Sequence, residues 1–423
     1  MTFPAGGDIC VINAVIDGEP GGLRASNGVI TAIGAGIEAE PGETVLDAAG
    51  AILVPPLING HTHAAMTLFR GHGDDLPLMR WLQEAIWPVE ANLDAEDAYW
   101  GTRLACLEMV RTGTTKFWDM YWQPEAVARA VEDAGLRAVL GPPMIDPQGD
   151  RGPEGRNETV LEHLDALSGF GPRVGGAVAP HSIYTVGTDS LEFAVATAAE
   201  RNLPIHIHLS ETADEVGQCV ANHGIRPAFY LDRIGMLTPT TTLAHGVYLD
   251  QAELELVAER GATVTTNPVA NMKLAVGAAF PYPSALKAGV NLALGTDGAG
   301  SNNSLDLMAD LKVFALLQRH TEADAEAIPK EEAWAIATGQ RSPLIGDPDP
   351  LAIGKPADFL LLDQDSHELA LGDLTSALVY TASGAVVKTT VVDGNVLMED
   401  RKVEGADEVI AKARERVARL GLG

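Results

Sequence analysis

Short apolar runs recur along the middle of the chain, and each is followed by a segment with helical spacing. The eight runs read AILVPPL, TTKFWDM, RAVLGPP, VGGAVAPHS, PIHIHLSE, TTLAHGV, ATVTTNP and NLALGTDG. The segments between them place apolar residues at i, i+3 and i+4 and stop at Gly or Asn, as in AYWGTRLACLEMVRTG, PEAVARAVEDAG, SLEFAVATAAERN, QAELELVAERG and YPSALKAG. Strands that alternate with helices predict an α/β fold, a (β/α)8 barrel of the TIM type.

Both ends of the chain show a different pattern. Up to about residue 54, strand-like pieces are separated by Gly, Asp and Pro turns, and no long helical pattern intervenes. From about residue 351 the strand-like pieces return, and a charged helix, GADEVIAKARERVARLG, closes the sequence. We therefore expect residues 1–54 and 351–423 to pair into one small β-sandwich domain, with the C-terminal helix in the second part, around a barrel of residues 55–350.

Charge and composition narrow the range of partners. The formal net charge of −29 repels phosphate polyanions and anionic lipid headgroups, so we expect neither nucleic acid nor membrane as a partner. Such an acidic surface also suits a saline environment. The start MTFPAGGDICVINAVI lacks the features of a signal peptide, and no apolar run approaches the ~20 residues of a membrane span, which predicts a cytoplasmic protein. Cys10, Cys106 and Cys219 match no disulfide or CxxC pattern and are predicted to be buried thiols.

Side chains that bind metals or carry protons occur at the tails of the predicted strands. In a barrel of this type the active site forms at the C-terminal ends of the strands, so these residues should meet in one place. In chain order they are His61, His63, His181, His208, Glu211, His245 and Asp297.

Part of this set has the composition of a metal site. His61 and His63 are two residues apart, and because side chains alternate along an extended chain, both imidazoles can face one ion. His208 and Asp297 supply the remaining ligands. Two-metal amide hydrolases usually carry a bridging lysine late in the fourth strand, and VGGAVAPHS has none. We predict one divalent metal with a position open for water; zinc is the first choice, with Fe, Mn or Ni as alternatives.

The neighbours of these ligands suggest how the site would work. A bound divalent ion lowers the pKa of its water towards ~7, and Glu211 is placed to act as the general base that moves the water proton. His245 can stabilise the developing negative charge. His206 lies earlier on the same strand as His208 and is predicted to be an interior residue rather than a ligand. The Asn-Gly pair at 59–60 is predicted to be a turn that lifts the histidine pair to the barrel mouth.

At this point the sequence resembles the amidohydrolase superfamily, in its branch of methylthioadenosine/S-adenosylhomocysteine deaminases and the related triazine chlorohydrolases. The likeness covers most of the chain, through NGHTH, LFRGHGDDLPLMRWLQEAIWPVEANL, GTTKFWDM, APHSIYT, IHIHLSET, LAHGVYL, NPVANMKLAVG and GTDGAGSNNSLDLMADLK. The closing GKPADFLLLD and VVDGNVLMED resemble the family's β-sandwich domain, which is assembled from both chain ends.

The resemblance carries roles onto particular residues. It implies acid-base work by Glu211 with His245 assisting, and metal binding by His61, His63, His208 and Asp297. It further implies that the glutamate of IWPVEANL, Glu90, binds the ribose hydroxyls, and that the histidine of APHSIYT, His181, contacts the substrate. The family's substrate-binding arginine would fall near Pro142, where there is none, so Arg151 and Arg156 stay open as substitutes.

The function that follows is hydrolytic deamination of an adenine nucleoside: 5'-methylthioadenosine, S-adenosylhomocysteine or adenosine. Glu211 and Asp297 would each contact the substrate as well as take part in proton transfer, Asp297 by passing a proton to the departing ammonia. The nearest alternatives are another heterocycle aminohydrolase, of the guanine or cytosine type, and a triazine-type chlorohydrolase. A barrel that binds without catalysis is the remote alternative. The resemblance also implies a homo-oligomer.

Overall fold

The computed structural model describes residues 6–146 and 153–422. The strands within these ranges are numbered in chain order: β1 Ile9–Ile16, β2 Glu19–Ser26, β3 Val29–Gly34, β4 Val45–Asp47, β5 Ile52–Val54, β6 Leu57–Thr62, β7 Thr114–Met120, β8 Arg137–Gly141, β9 Pro143–Met144, β10 Val174–Gly176, β11 Ala179–Pro180, β12 Ile205–Leu209, β13 Thr241–His245, β14 Thr263–Thr266, β15 Asn291–Leu294, β16 Phe359–Leu362, β17 Val387–Val392 and β18 Asn395–Met398.

The α-helices of the same ranges are α1 Leu78–Arg80, α2 Trp87–Glu90, α3 Ala95–Thr112, α4 Pro124–Ala134, α5 Pro153–Leu167, α6 Thr188–Arg201, α7 Ala213–His223, α8 Pro227–Arg233, α9 Gln251–Arg260, α10 Pro268–Lys273, α11 Tyr282–Ala288, α12 Leu307–Glu322, α13 Lys330–Ala337, α14 Leu374–Tyr380 and α15 Ala406–Arg419. A π-helix, Trp81–Ile86, separates α1 from α2, and 3₁₀ turns cover Ala64–Phe69 and Gly384–Val386. The helices predicted by spacing are confirmed as α3, α4, α6, α9, α11 and α15. No helix of the described ranges is long and apolar enough to span a membrane.

The two ends of the chain share one sheet, as the sequence predicted. Its strand order is β18-β17-β16-β5-β1-β2-β3, and β4 pairs with β1. The junction between the chain ends is antiparallel, with Leu361 of β16 opposite Leu53 of β5. A separate apolar cluster that includes Leu23 and Phe359 belongs to this sheet. The folding of the sheet into the two layers of a sandwich stays a prediction.

Parallel strands make up the central part of the chain. One sheet has the order β10-β8-β7-β6, a second has β12-β13-β14-β15, and β9 pairs with β11. Bridges between Val178 and Ile205 and between Ser182 and His208 connect the fourth predicted strand region to the fifth. Every residue of β12, β13 and β14 is buried, as expected for parallel strands covered on both faces.

The first predicted barrel strand was placed too early. Within AILVPPL, Ile52–Val54 form β5, which is a strand of the terminal sheet, and the strand that pairs with β7 is β6, beginning at Leu57. The two strands follow each other with only Pro55 and Pro56 between them. Because both are short and apolar, hydrophobicity alone does not show that the chain changes sheets at the two prolines.

The prediction of a turn at Asn59 and Gly60 was also wrong, since both residues lie inside β6. The Asn59 side-chain Nδ2 donates to Thr296 Oγ1 at 2.7 Å, and its side-chain Oδ1 accepts from the Thr296 backbone N–H at 3.1 Å. A Cβ at residue 60 would approach Thr265 Cγ2 to 2.9 Å and Ala293 Cβ to 3.1 Å. The glycine therefore permits close approach of neighbouring strands, a use that local turn propensity does not reveal.

Candidate metal centre

Four of the predicted residues meet where the parallel strands end. His61 is the fifth residue of β6 and His63 follows that strand, His208 is the fourth residue of β12, and Asp297 lies three residues beyond β15. One ligand atom from each residue can be chosen so that all lie within 4.8 Å of one another. The structure thus brings together the complete predicted ligand set.

Backbone carbonyls orient two of the imidazoles. His63 Nδ1 donates to the Met120 carbonyl at 2.6 Å, and His208 Nδ1 donates to the His181 carbonyl at 2.7 Å. With the proton held on Nδ1, each ring presents an Nε2 lone pair to the centre. The two Nε2 atoms are 3.3 Å apart.

The third imidazole is held by another histidine. His61 Nδ1 lies 2.8 Å from His206 Nε2, and both rings are fully buried. The expectation that His206 is an interior residue is confirmed, and its contact orients His61 much as the carbonyls orient the other two rings. Burial lowers the pKa of His61 to about 4, so its imidazole is neutral at physiological pH and can act as a ligand.

Asp297 is held in an unusual backbone conformation. Its φ of 61° lies in the left-handed region, which costs a non-glycine residue of order 1–3 kcal/mol and is common at functional sites. The Asp297 N–H donates to the His61 carbonyl at 3.0 Å, and the Thr62 hydroxyl donates to the Asp297 carbonyl at 2.9 Å. The Ser301 hydroxyl donates to Oδ2 at 2.7 Å, which leaves Oδ1 directed at the histidines.

The donor atoms fit a divalent cation. Asp297 Oδ1 lies 3.3 Å from His61 Nε2 and 3.2 Å from His63 Nε2. Ligands about 2.1 Å from an ion are roughly 3.4 Å apart in a tetrahedral arrangement, which is close to this spacing. His61 Nε2 is also buried without a hydrogen-bond partner among the described residues. A bound cation would satisfy this atom.

Glu211 and His245 lie beside the ligand cluster. Glu211 Oε1 is 4.0 Å from His245 Nδ1, and both side chains are buried. Burial raises the pKa of Glu211, as suits a carboxylate that gains and loses a proton during a reaction. His245 has a left-handed φ of 75°, and its Nδ1 donates to Asn271 Oδ1 at 2.8 Å. The His245 ring centroid is 5.4 Å from that of His208.

The centre opens through a narrow inner pocket of about 70 Å³ into an outer cleft of about 1250 Å³. His63, His208 and Asp297 of the ligand set line the inner pocket, together with Glu211 and His245. Side chains shared by both cavities form the passage between them: Leu78, Trp87, Glu90, Trp122, Ile145, Tyr184 and Leu274. A flat ring that reaches the ligand cluster therefore passes between apolar walls.

Glu90 lines this passage, and His181 lines the inner pocket beyond it. Glu90 is half-buried, accepts the Tyr121 hydroxyl at 2.8 Å, and has a pKa raised by burial. His181 lines the inner pocket, and its Nδ1 lies 3.0 Å from Thr185 Oγ1. Burial lowers the pKa of His181 to about 3, so this imidazole is neutral. Glu90 thus lies on the route to the ligand cluster, and His181 lies in the inner pocket that contains His63, His208 and Asp297.

Sequence reasoning missed several supporting residues. Tyr121 directly follows β7, so its place at a strand end was a usable signal. Ser301 follows Asp297 by four residues, and Asn271 lies on α10 without any motif to mark it. Of the two candidate arginines, Arg151 lies outside the described residues, and the side chain at position 156 is also outside the described part.

The three predicted thiols are confirmed as free and buried. They lie outside the ligand cluster, at Cys10, Cys106 and Cys219.

Comparison with known proteins supports the arrangement. The chain is 46% identical over 384 residues to a 5'-deoxyadenosine deaminase of Methanoregula boonei, covering 89% of this chain and 86% of the relative. It is 43% identical over 387 residues to a 5-methylthioadenosine/S-adenosylhomocysteine deaminase of Haloarcula marismortui, covering 90% and 89%. Among solved structures, a zinc-bound adenosine deaminase from Xanthomonas campestris superposes with a TM-score of 0.90 at 33% identity, covering 98% of this chain and 99% of that one.

The family and the relatives define the class, a hydrolase that acts on carbon–nitrogen bonds, and the structural relatives imply a TIM-type barrel. The model of the Amidohydrolase family matches residues 52–397, and the chain belongs to the amidohydrolase family. The resemblance seen in the sequence is thereby confirmed.

Proposed function

We propose that this protein is a metal-dependent deaminase of adenine nucleosides that releases ammonia and the corresponding inosine analogue. The observation that supports the proposal most directly is the lining of the inner pocket. Glu211 and His245 line this pocket together with His63, His208 and Asp297, and Glu90 lies at its entrance. The names of the relatives, 5'-deoxyadenosine deaminase and 5-methylthioadenosine/S-adenosylhomocysteine deaminase, support the same substrate class.

His61, His63, His208 and Asp297 would hold the metal, with zinc as the first choice and Fe, Mn or Ni as alternatives. The zinc named for the Xanthomonas campestris structure supports this choice. When bound, a divalent cation would supply a water of lowered pKa as the nucleophile and stabilise negative charge on its oxygen.

Side chains of the protein would then transfer the protons and stabilise the developing charge. Glu211 takes a proton from the attacking water and delivers it to the ring nitrogen beside the amino-bearing carbon. His245 stabilises the negative charge that develops on the new oxygen substituent, and Asp297 passes the second water proton to the amino group. The carbon–oxygen bond forms, the carbon–nitrogen bond breaks, and ammonia leaves.

Two residues would orient the nucleoside. Glu90 accepts hydrogen bonds from the two ribose hydroxyls, while the Tyr121 hydroxyl that it already accepts holds its carboxylate in place. His181 is neutral, so it can hydrogen-bond the purine ring without adding charge to the pocket. The 5' substituent would project into the outer cleft, whose volume of about 1250 Å³ accommodates groups of different size.

The proposal includes the architecture around the site. We propose that β6 to β15 close into a (β/α)8 barrel of residues 55–350, and that residues 1–54 and 351–423 form a small β-sandwich domain. The hydrogen bond from the Asp297 N–H to the His61 carbonyl supports closure between the last strand and the first. A cytoplasmic homo-oligomer completes the proposal.

Ammonia release from a substrate panel tests the function. The metal-loaded enzyme is offered 5'-deoxyadenosine, methylthioadenosine, S-adenosylhomocysteine, adenosine, guanine, cytosine and a chlorotriazine. We expect turnover of one or more of the adenine nucleosides, loss of turnover after chelation, and recovery with zinc. Absence of turnover with every adenine nucleoside would contradict the proposal, and chloride release from the triazine would favour the chlorohydrolase alternative.

A further inference from the structure

A second buried glutamate hydrogen-bonds the backbone of the turn that contains Glu211. Glu215 lies in the first turn of α7 and is only 2% exposed. Its Oε1 accepts the Ser210 N–H at 2.8 Å, and its Oε2 accepts the Glu211 N–H at 2.9 Å. One carboxylate thus binds two successive backbone donors, one of them belonging to the proposed acid-base residue.

Two other helices of the chain show what this position ordinarily does. In α3 and α9, the third helical residue accepts the backbone N–H of the N-cap residue, which completes a capping box: Asp97 does so for Asp94, and Glu253 for Asp250. Glu215 occupies the same third position of α7, whose N-cap is Thr212. Its carboxylate reaches beyond the N-cap and accepts from the two preceding residues, Ser210 and Glu211.

The turn at Ser210 and Glu211, whose N–H groups Glu215 accepts, has a strained backbone. Ser210 has a left-handed φ of 52°, a conformation that L residues hold only where their surroundings enforce it. The Ser210 carbonyl accepts the Tyr248 N–H at 2.8 Å, and the Leu209 carbonyl accepts the Gly246 N–H at 3.0 Å. The turn is therefore tied on one side to the segment after His245 and on the other side to Glu215.

We propose that Glu215 is a positioning residue for catalysis: its carboxylate fixes the strained peptide at Ser210 and so aims the Glu211 side chain at the ligand cluster. This inference rests on the proposed role of Glu211. An ionised carboxylate is an acceptor at both oxygens, which is what two parallel N–H donors require. The side-chain amide of glutamine offers one acceptor and one donor, and the donor would face an N–H.

Burying this carboxylate opposes folding unless its contacts compensate. Within the described residues Glu215 forms no ion pair, whereas the equally buried Glu253 is paired with Arg226 at 2.7 Å. Burial raises the pKa of Glu215, the neighbouring Glu211 carboxylate adds to the rise, and the backbone N–H donors oppose it. Such a costly group beside the reacting residues indicates a use beyond helix capping.

Glu215→Gln and Glu215→Asp test the inference by separate routes. The first removes one acceptor at constant shape; the second keeps the charge but shortens the side chain by one methylene. We expect each to lower kcat by about 10- to 100-fold, because a misplacement of about 1 Å can cost 10²-fold, and to leave KM and the metal content per chain unchanged. We also expect faster hydrogen exchange of the amides at positions 210 and 211.

Glu253→Gln is the matched control, because it makes the same chemical change at the same helical position in α9. It should lower the melting temperature while leaving kcat and the exchange of residues 210–211 as in the wild type. The inference is overturned if both Glu215 variants keep wild-type kcat, or if their losses appear only in KM or metal content. Should Glu215→Gln fail to fold, the aspartate variant decides.

Failure of the proposed function would look different. If the wild type turns over no adenine nucleoside, the deaminase proposal fails, while hydrogen exchange still shows whether Glu215 restrains the turn. If the wild type is active and Glu211→Gln is not, but the Glu215 variants match the wild type in rate, only the positioning role is lost.

Discussion

At the scale of single residues, Glu211 has the surroundings expected of a group that carries protons. Its carboxylate is buried, its pKa is raised by that burial, and its backbone is held by Glu215. Conversion to Gln preserves the shape and removes proton transfer. We expect kcat of Glu211→Gln to fall by about 10²- to 10⁴-fold with the metal content unchanged, as measured by ammonia release and atomic spectroscopy. Glu200→Gln, at an exposed position on α6, should match the wild type; loss of metal instead of rate would assign Glu211 a ligand role.

The role of Glu90 can be separated from general packing by a matched substrate. 2',3'-Dideoxyadenosine lacks the 2'- and 3'-hydroxyls, so it should lose the same contacts as the Glu90→Gln variant. We expect either change alone to lower kcat/KM by about 10- to 150-fold, which corresponds to the loss of hydrogen bonds to a charged group. When both changes are combined, kcat/KM should fall little further than with one change alone. Tyr121→Phe, which removes the hydroxyl donated to Glu90, should give a smaller loss. Fully additive losses would argue against ribose recognition by Glu90.

Burial of His181 should make the unfolding free energy fall at acidic pH. Its pKa is lowered by burial from 6.5 to about 3, so between these values the unfolded chain binds a proton that the folded chain does not. The contribution of His181 is therefore complete above pH 6.5 and is lost as the pH falls towards 3, at about 1.4 kcal/mol per pH unit. We expect His181→Gln to flatten the fall of the unfolding free energy between pH 6.5 and 4.5, measured by urea titration. An unchanged slope would show that His181 is solvated in the folded state.

At the scale of elements, the sequence predicted what depends on local pattern. The apolar runs and helical spacings identified the strands and helices, and the strand-end rule brought the ligand set into one place. The errors arose where the deciding partner is distant in sequence. Asn59 looked like a turn residue because its partner, Thr296, lies 237 positions away. Likewise, no pattern near Glu215 in the sequence indicates that its carboxylate also accepts from Ser210 and Glu211.

A buried arginine joins the terminal sheet to the parallel strands. Arg137 of β8 binds Asp358 at 2.7 Å and Asp393 at 3.0 Å, next to β16 and between β17 and β18. All three side chains are mostly buried. Arg137→Met would leave Asp358 without this partner and Asp393 with only the more distant Arg173, at 3.8 Å, so we expect the unfolding free energy to fall by about 3 kcal/mol in urea.

An exposed ion pair provides the control for this prediction. Lys412 and Glu415 are paired on the surface of α15 at 2.8 Å. Because solvent screens such a pair, Lys412→Met should change the unfolding free energy by less than about 0.5 kcal/mol. Equal effects of the two substitutions would mean that the contact between the terminal sheet and the strands adds no stability.

At the scale of the whole molecule, the dominant feature is the net charge of −29. Self-repulsion of this size destabilises the compact state, and salt weakens it because the Debye length falls from about 10 Å at 0.1 M to about 3 Å at 1 M. We expect the melting temperature to rise as KCl is raised over this range. Replacing Glu19, Glu192 and Glu200 by Gln removes three exposed charges, from −29 to −26, and should raise the melting temperature at 0.1 M and reduce its dependence on salt. A melting temperature that does not change with KCl would show that the carboxylates are spaced widely enough for repulsion to be negligible, and the acidic composition would then have no bearing on folding stability.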